Sequence, residues 1–225
     1  MMGGLRNEGI FTPPSLEGTL VVPSNIGGAH WGGVAADEQA GIVVVPVNRV
    51  AAMVQLIPAK GFDLAAARRE SSRLGEGFEY AVMERTPYAI RRRILLGPGG
   101  VPCTPPPFGA LVAVSLRTGE RLWEVPLGTP SLPPGASALP NLGMPNLGGP
   151  IVTAGRLVFI AATLDRMFRA FDIDTGKELW KAPLPAGGRA TPMTYESGGR
   201  QFVIIAAGGG NEFGAGDAII AFALP

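Results

Sequence analysis

The chain has 225 residues, enough for a substantial core, and its 19 Lys and Arg nearly balance 18 Asp and Glu for a net charge of +1. Charged residues make up only 16%, so no basic excess backs the Arg91-Arg92-Arg93 run. That balance excludes a nucleic-acid surface and leaves the run as a solvated loop edge. Gly (33) and Pro (22) are abundant beside 46% hydrophobic residues, which favours many short strands and turns over long helices.

Residues 1–8 lack the apolar core of a signal peptide, and the longest apolar runs, 203–207 and 218–225, are too short to cross a bilayer. The sequence therefore predicts neither an export signal nor a membrane anchor. Residues 9–22 read as a hairpin around Glu17-Gly18, with β-branched residues following the turn.

The next segment, Asn25-Ile26-Gly27-Gly28-Ala29-His30-Trp31-Gly32-Gly33, gathers four glycines around the single His of the chain. Glycine permits positive φ and close approach of a flat ligand or another backbone. His30 and Trp31 add a hydrogen-bonding ring and a stacking face. The same residues equally suit a turn between sheets, with a packed Trp and a satisfied His. Gly27-Gly28 is not a dinucleotide fingerprint, because no G-x-G-x-x-G opens a helix here.

Val34-Ala35-Ala36 and Ile42–Val45 form a hairpin around 37–41, and Pro46 is expected to end that ladder, since it has no N–H to donate. Asn48 and Arg49 follow at the strand end, where propellers place ligand groups. Residues 59–100 break the β rhythm and read as a long, mostly surface insertion loop. Within it, 63–70 predicts a short helix capped by Asp63. The lone Cys103 excludes an internal disulfide framework. It reads as a buried small side chain or as a partner for something outside the chain, and no neighbouring base marks it as a nucleophile.

The strongest signal is a repeat. Ala113-Val114-Ser115-Leu116-Arg117-Thr118-Gly119-Glu120-Arg121-Leu122-Trp123 returns as Ala170-Phe171-Asp172-Ile173-Asp174-Thr175-Gly176-Lys177-Glu178-Leu179-Trp180, so that Gly119 maps to Gly176 and Trp123 to Trp180. Each copy is two strands about a Thr-Gly turn with a large aromatic on the second, the signature of stacked blades. Residues 151–161 predict another hairpin, as do 191–203, and Ala221-Phe222 echoes Ala170-Phe171 without a third Trp copy.

These residues resemble the pyrroloquinoline-quinone (PQQ)-dependent dehydrogenases, specifically the C-terminal part of membrane-bound quinoprotein glucose dehydrogenases. The likeness covers nearly the whole chain. It is carried by Gly9-Ile10-Phe11-Thr12-Pro13-Pro14-Ser15, the Gly-Gly-x-x-Trp-Gly-Gly of 27–33, Leu147-Gly148-Gly149-Pro150, 190–196 and 221–225. Ala-x-Asp-x-x-Thr-Gly-x-x-x-Trp resembles that family's tryptophan-docking motif, which makes Trp123 and Trp180 packing residues; Ser115 departs from the usual Asp.

The resemblance implies an all-β fold: a partial eight-bladed quinoprotein β-propeller of about three to four four-stranded antiparallel blades, interrupted by the loop and short-helix insertion at 59–100. Residues 1–225 are then the C-terminal portion of the propeller domain. The implied function is PQQ-dependent oxidation of a sugar, glucose to gluconolactone, with electrons passed to ubiquinone. A Ca²⁺ or Mg²⁺ ion on the quinone, the catalytic base and the metal ligands come from missing N-terminal blades, so no catalytic or metal-binding residue is expected here.

The cofactor-binding candidates carried over are Gly28, His30, Trp31, Asn48, Leu147 and Gly148. Trp31 matches the family's Trp beside the quinone. His30 falls where relatives often have Asn, which implies a hydrogen bond to the cofactor. Leu147 and Gly148 match the turn that closes over the quinone, and Asn48 lies two residues beyond Pro46, which aligns with the family's Asn. The resemblance places the protein on the periplasmic side of the inner membrane, and a fragment alone is expected to be inactive. Two other readings stand beside it: a PQQ-dependent alcohol or polyol dehydrogenase, and a non-catalytic propeller scaffold that binds proteins.

Overall fold

The computed structural model describes residues 3–130, 141–210 and 214–224. Among them the chain forms β1 (Thr19–Val21), β2 (Ala35–Asp37), β3 (Ile42–Asn48), β4 (Ala52–Pro58), α1 (Leu64–Leu74), β5 (Glu79–Val82), β6 (Tyr88–Ile94), β7 (Gly109–Ser115) and β8 (Arg121–Pro126). It continues with β9 (Ile151–Val152), β10 (Leu157–Ile160), β11 (Met167–Asp172), β12 (Glu178–Pro183), β13 (Met193–Ser197), β14 (Arg200–Gly209) and β15 (Ala215–Ala223). The strands make four antiparallel sheets, and the chain divides into two compact units.

The first unit, residues 1–25 and 50–104, is one sheet in the order β1-β4-β6-β5 with α1. The hairpin expected at 9–22 does not form. Gly9–Thr12 close a tight turn instead (Thr12 N–H to Gly9 O, 3.1 Å), and Ser15 O accepts from Leu56 N–H of β4 at 2.9 Å. Pro13 and Pro14 remove two consecutive donors, which no hairpin ladder tolerates. The stretch 59–100 is likewise more than a surface loop, since it contributes α1, β5 and β6. Asp63 caps α1 by accepting the Ala66 N–H at 2.9 Å, and Gly75 ends it at φ +65°.

The run Arg91-Arg92-Arg93 lies in β6 rather than at a loop edge. Alternation along the strand puts Arg91 and Arg93 over the Phe78 ring, each guanidinium 4.6 Å from its centroid, while Arg92 pairs with Glu79. Cys103 is half-buried in the same unit, its thiol donating to Leu95 O at 3.2 Å.

The second unit, residues 26–49 and 105–225, carries three sheets: β2-β3-β7-β8, β9-β10-β11-β12 and β13-β14-β15. They pack in chain order. Ile42, Val44, Leu111 and Ala113 of the first face Val158, Ile160, Phe171 and Ile173 of the second in one buried cluster. Phe168 and Leu184 then join Val203, Ile205 and Ala207 on the far side. Meanders of antiparallel strands packed face to face in succession are the construction of a propeller, here a partial one.

The repeat is repeated in three dimensions. Trp123 opposes Ala113 and Trp180 opposes Ala170, and each ladder carries a register shift at the same place, Ala113/Val114 and Ala170/Phe171. Asp172 Oδ1 accepts from Thr175 N–H (2.8 Å) and its hydroxyl (2.7 Å), bracing the turn. In the first copy Ser115 Oγ takes the equivalent N–H of Thr118 at 3.2 Å, so the shorter hydroxyl substitutes for the carboxylate.

Pro46 does not end its ladder. β3 runs on to Asn48 and pairs with β7 throughout, Pro46 opposite Leu111. Arg49 N–H points to Phe108 O on the β7 side, whereas Asn48 N–H points the other way, to Gly28 O. The position of Pro46 therefore faces away from β7. On that side β2 has already stopped, its last pair being Ala35 with Val44. The missing donor faces a place where the ladder needs none.

Candidate functional site

Three segments of the second unit meet at the end of β3: the Gly27–Gly33 loop, Val47-Asn48, and Asn146–Gly149. Asn48 is 2% exposed and Asn146 fully buried. They exchange a reciprocal pair of bonds, Asn48 Nδ2 donating to Asn146 O (2.9 Å) and Asn146 N–H donating to Asn48 Oδ1 (2.7 Å). The Asn146 side chain donates from Nδ2 to Val47 O at 3.2 Å, which leaves its Oδ1 to accept.

That acceptor is used by His30. Its Nε2 lies 2.9 Å from Asn146 Oδ1, and its Nδ1 receives the Gly32 N–H at 3.1 Å. An N–H aimed at Nδ1 requires a lone pair there, so the neutral ring carries its proton on Nε2 and donates to Asn146. Both ring nitrogens are thereby engaged within the chain. The hydrogen bond from His30 to a cofactor, expected from the resemblance, has no ring nitrogen left to make it.

Glycines close the frame. A Cβ on Gly32 would run into the backbone of Gly148, and one on Gly149 into the Gly32 carbonyl and the Thr191 hydroxyl, so two main chains touch where side chains have no room. Leu147 N–H donates to Ala162 O at 2.8 Å, and Gly28 O accepts from Asn48 at 2.9 Å. Of the six candidates, Gly28, His30, Asn48, Leu147 and Gly148 form this frame. Trp31 stands apart: it is 65% exposed, with its ring centroid 6.1 Å from that of His30.

Two groups outside the candidate set complete the surroundings. Asn146 pairs by an isolated bridge with Thr163, whose hydroxyl donates to Asp165 Oδ1 at 2.6 Å. Arg169, 2% exposed, holds Asp165 through both guanidinium ends and reaches Glu178 at 3.0 Å. Burial pushes the Asp165 carboxyl up, but bonds from Arg169, Thr163 and the Thr129 N–H outweigh it and hold it below the usual carboxylate range. Directly after Asn48, Arg49 grips both oxygens of Glu124 and holds that carboxyl low as well.

Asn146 is the residue that the sequence reading passed over. Its signal was its place directly before Leu147-Gly148-Gly149. Among the described residues no cluster of three or more His, Cys, Asp or Glu could hold a metal ion, and no helix is long and apolar enough to cross a membrane.

Comparison with known proteins agrees with this architecture. Residues 1–203 match the family model described as PQQ, glucose/ethanol/alcohol dehydrogenase, beta-propeller domain. The chain is 42% identical to the quinoprotein glucose dehydrogenase of Escherichia coli K12 over 233 residues, covering all of this chain and 29% of that protein. It is 37% identical to the quinate/shikimate dehydrogenase (quinone) of Acinetobacter baylyi, covering 98% of this chain and 28% of that one. Among solved structures, a europium-containing methanol dehydrogenase superposes with a TM-score of 0.56 at 25% identity, over 85% of this chain and 27% of that one. The chain thus spans under a third of the length of these curated relatives. With its docked tryptophans, successive packed sheets and a family match over 203 residues, the chain belongs to the PQQ-dependent glucose/ethanol/alcohol dehydrogenases, as part of their β-propeller.

Proposed function

We propose that this chain supplies the blades that form one wall of the PQQ site in a sugar-oxidising quinoprotein dehydrogenase. The observation that carries the reading is the exposed indole of Trp31 on a loop whose backbone is tied down by Asn48, Asn146 and the Gly32–Gly149 contact. An open aromatic face on an immobile loop suits a planar ring system. The side chains of Asn48 and His30 make their bonds within the chain, so they act by holding the loop rather than by touching the quinone.

When bound, PQQ supplies the two-electron redox chemistry. The part played by this chain is to stack the ring, exclude water from one face and keep the wall rigid. The substrate-side base and the divalent ion, Ca²⁺ or Mg²⁺, belong to blades outside this chain. Glucose as substrate, gluconolactone as product, ubiquinone as acceptor and a periplasmic place at the inner membrane are part of this proposal, supported by the 42% identity to a quinoprotein glucose dehydrogenase.

The test is direct. The complete protein containing these blades, loaded with PQQ and Ca²⁺, is expected to reduce a dye with glucose. No reduction with any sugar or alcohol overturns the reading. A second substrate class has a specific support: the chain is 39% identical to the glycerol dehydrogenase large subunit of Gluconobacter oxydans over 238 residues. Faster reduction with glycerol or another polyol than with glucose selects it.

A further inference from the structure

We propose that His30 is a positioning residue for the face of Trp31. Held as its Nε2–H tautomer, it latches the Gly27–Gly33 loop onto Asn146, and so decides where a planar ligand stacks. This rests on the reading of the site as a PQQ wall, but the latch itself is a property of the chain.

Three observations carry it. The two bonds of His30 differ in kind. Gly32 N–H to Nδ1 spans two residues and closes a local turn, whereas Nε2 to Asn146 Oδ1 joins residues 116 positions apart. The partner atom has one role left, because Asn146 Nδ2 is spent on Val47 O and its backbone on Asn48. Removing the imidazole donor leaves a buried amide oxygen without it, a costly state in a fully buried residue. Finally, Trp31 is the next residue after His30, so any slack in the latch passes straight into the pose of the indole.

The two bonds are separable by substitution. His30→Asn keeps an acceptor at the Nδ1 position, able to take the Gly32 N–H as an Asx-turn does, but is too short to reach Asn146. His30→Gln places an amide N–H near the Nε2 position and gives up the turn. The proposal expects His30→Asn to weaken PQQ binding about tenfold, the size of one lost bond to a buried acceptor, with His30→Gln within about twofold of the parent. Affinity is read by calorimetric titration of the complete protein with PQQ and Ca²⁺. Equal losses in the two variants, or parent-like binding by His30→Asn, overturn it.

A readout free of cofactor accompanies this. His30 is the single histidine of these 225 residues, and in the complete protein its two-bond ¹H–¹⁵N correlations are identified as the set that disappears in His30→Gln. They should report the Nε2–H tautomer alone for the neutral ring; a neutral ring carrying its proton on Nδ1 rejects the latch. In His30→Asn the Asn48 amide, which donates to Gly28 O, should also exchange faster than in His30→Gln. If the parent binds no PQQ, the proposed function fails while the tautomer and exchange measurements still decide the latch.

Discussion

The indole N–H of Trp123 donates to the carbonyl of Ile173 at 2.8 Å, fifty positions on and in the turn that follows β11, while Gly176 lies flat beneath the same ring. A Cβ on Gly176 would sit 2.6 Å from Trp123 Cε3. The Thr-Gly turn of one blade is thus the floor on which the tryptophan of the preceding blade rests.

This separates two glycines that look alike in sequence. Gly176 (φ +70°) and Gly119 (φ +73°) share a left-handed backbone, but nothing lies within 4 Å of a Cβ on Gly119. Gly119→Ala should cost about 1–2 kcal/mol, the left-handed penalty alone. Gly176→Ala adds overpacking against the indole and should cost about 2–5 kcal/mol in all. Urea midpoints of the two variants measured side by side check the difference.

The two repeat tryptophans are expected to differ too. Trp123→Phe loses the bond to Ile173 O and should cost about 1–3 kcal/mol. Trp180 is 38% exposed and meets Phe222 edge-on, 5.1 Å between centroids. Trp180→Phe should lose only part of an aromatic contact, about 0.5–1.5 kcal/mol. Thermal unfolding followed by far-ultraviolet circular dichroism ranks them, and a reversed order contradicts the docking geometry.

Acid stability should report on Asp165. Its carboxyl is held below the ordinary range by Arg169, Thr163 and the Thr129 N–H against the opposing push of burial. A depressed carboxylate contributes stability that is complete above its unfolded value, about 3.9. The contribution is lost as pH falls through the lower folded value. Asp165→Asn should therefore destabilise at pH 7, because it leaves Arg169 (side chain 3% exposed) with less compensation. The gap from the parent should shrink as pH drops below about 4, where the parent protonates too. A constant gap down to low pH would falsify this assignment.

The glycine contact of the site gives a fourth expectation. A Cβ on Gly149 would meet the Gly32 carbonyl and come within 2.6 Å of Thr191 Oγ1, so Gly149→Ala must push the two segments apart. PQQ affinity should fall at least about tenfold, in line with the cost of an overpacked buried contact. Calorimetric titration reads it, and parent-like affinity would show that the contact does not set the wall.

Much of this was legible locally. The blades announce themselves because a Thr-Gly turn, the alternation around it and a tryptophan four residues later are neighbours in sequence, and the Asp63 cap of α1 is equally local. The fate of Pro46 was not, since it depends on β2 stopping at Ala35 one strand away. Nor was the commitment of His30, whose second partner lies 116 positions downstream.

The sequence by itself determined the class of fold and the repeated unit, because turn chemistry and strand period act between near neighbours. Only the tertiary structure decided which residues frame the site and which one faces outward. Asn48, Asn146 and His30 have finite hydrogen-bonding capacity, and folding spends it on one another before any ligand arrives. The free face of Trp31 is what remains after that exchange.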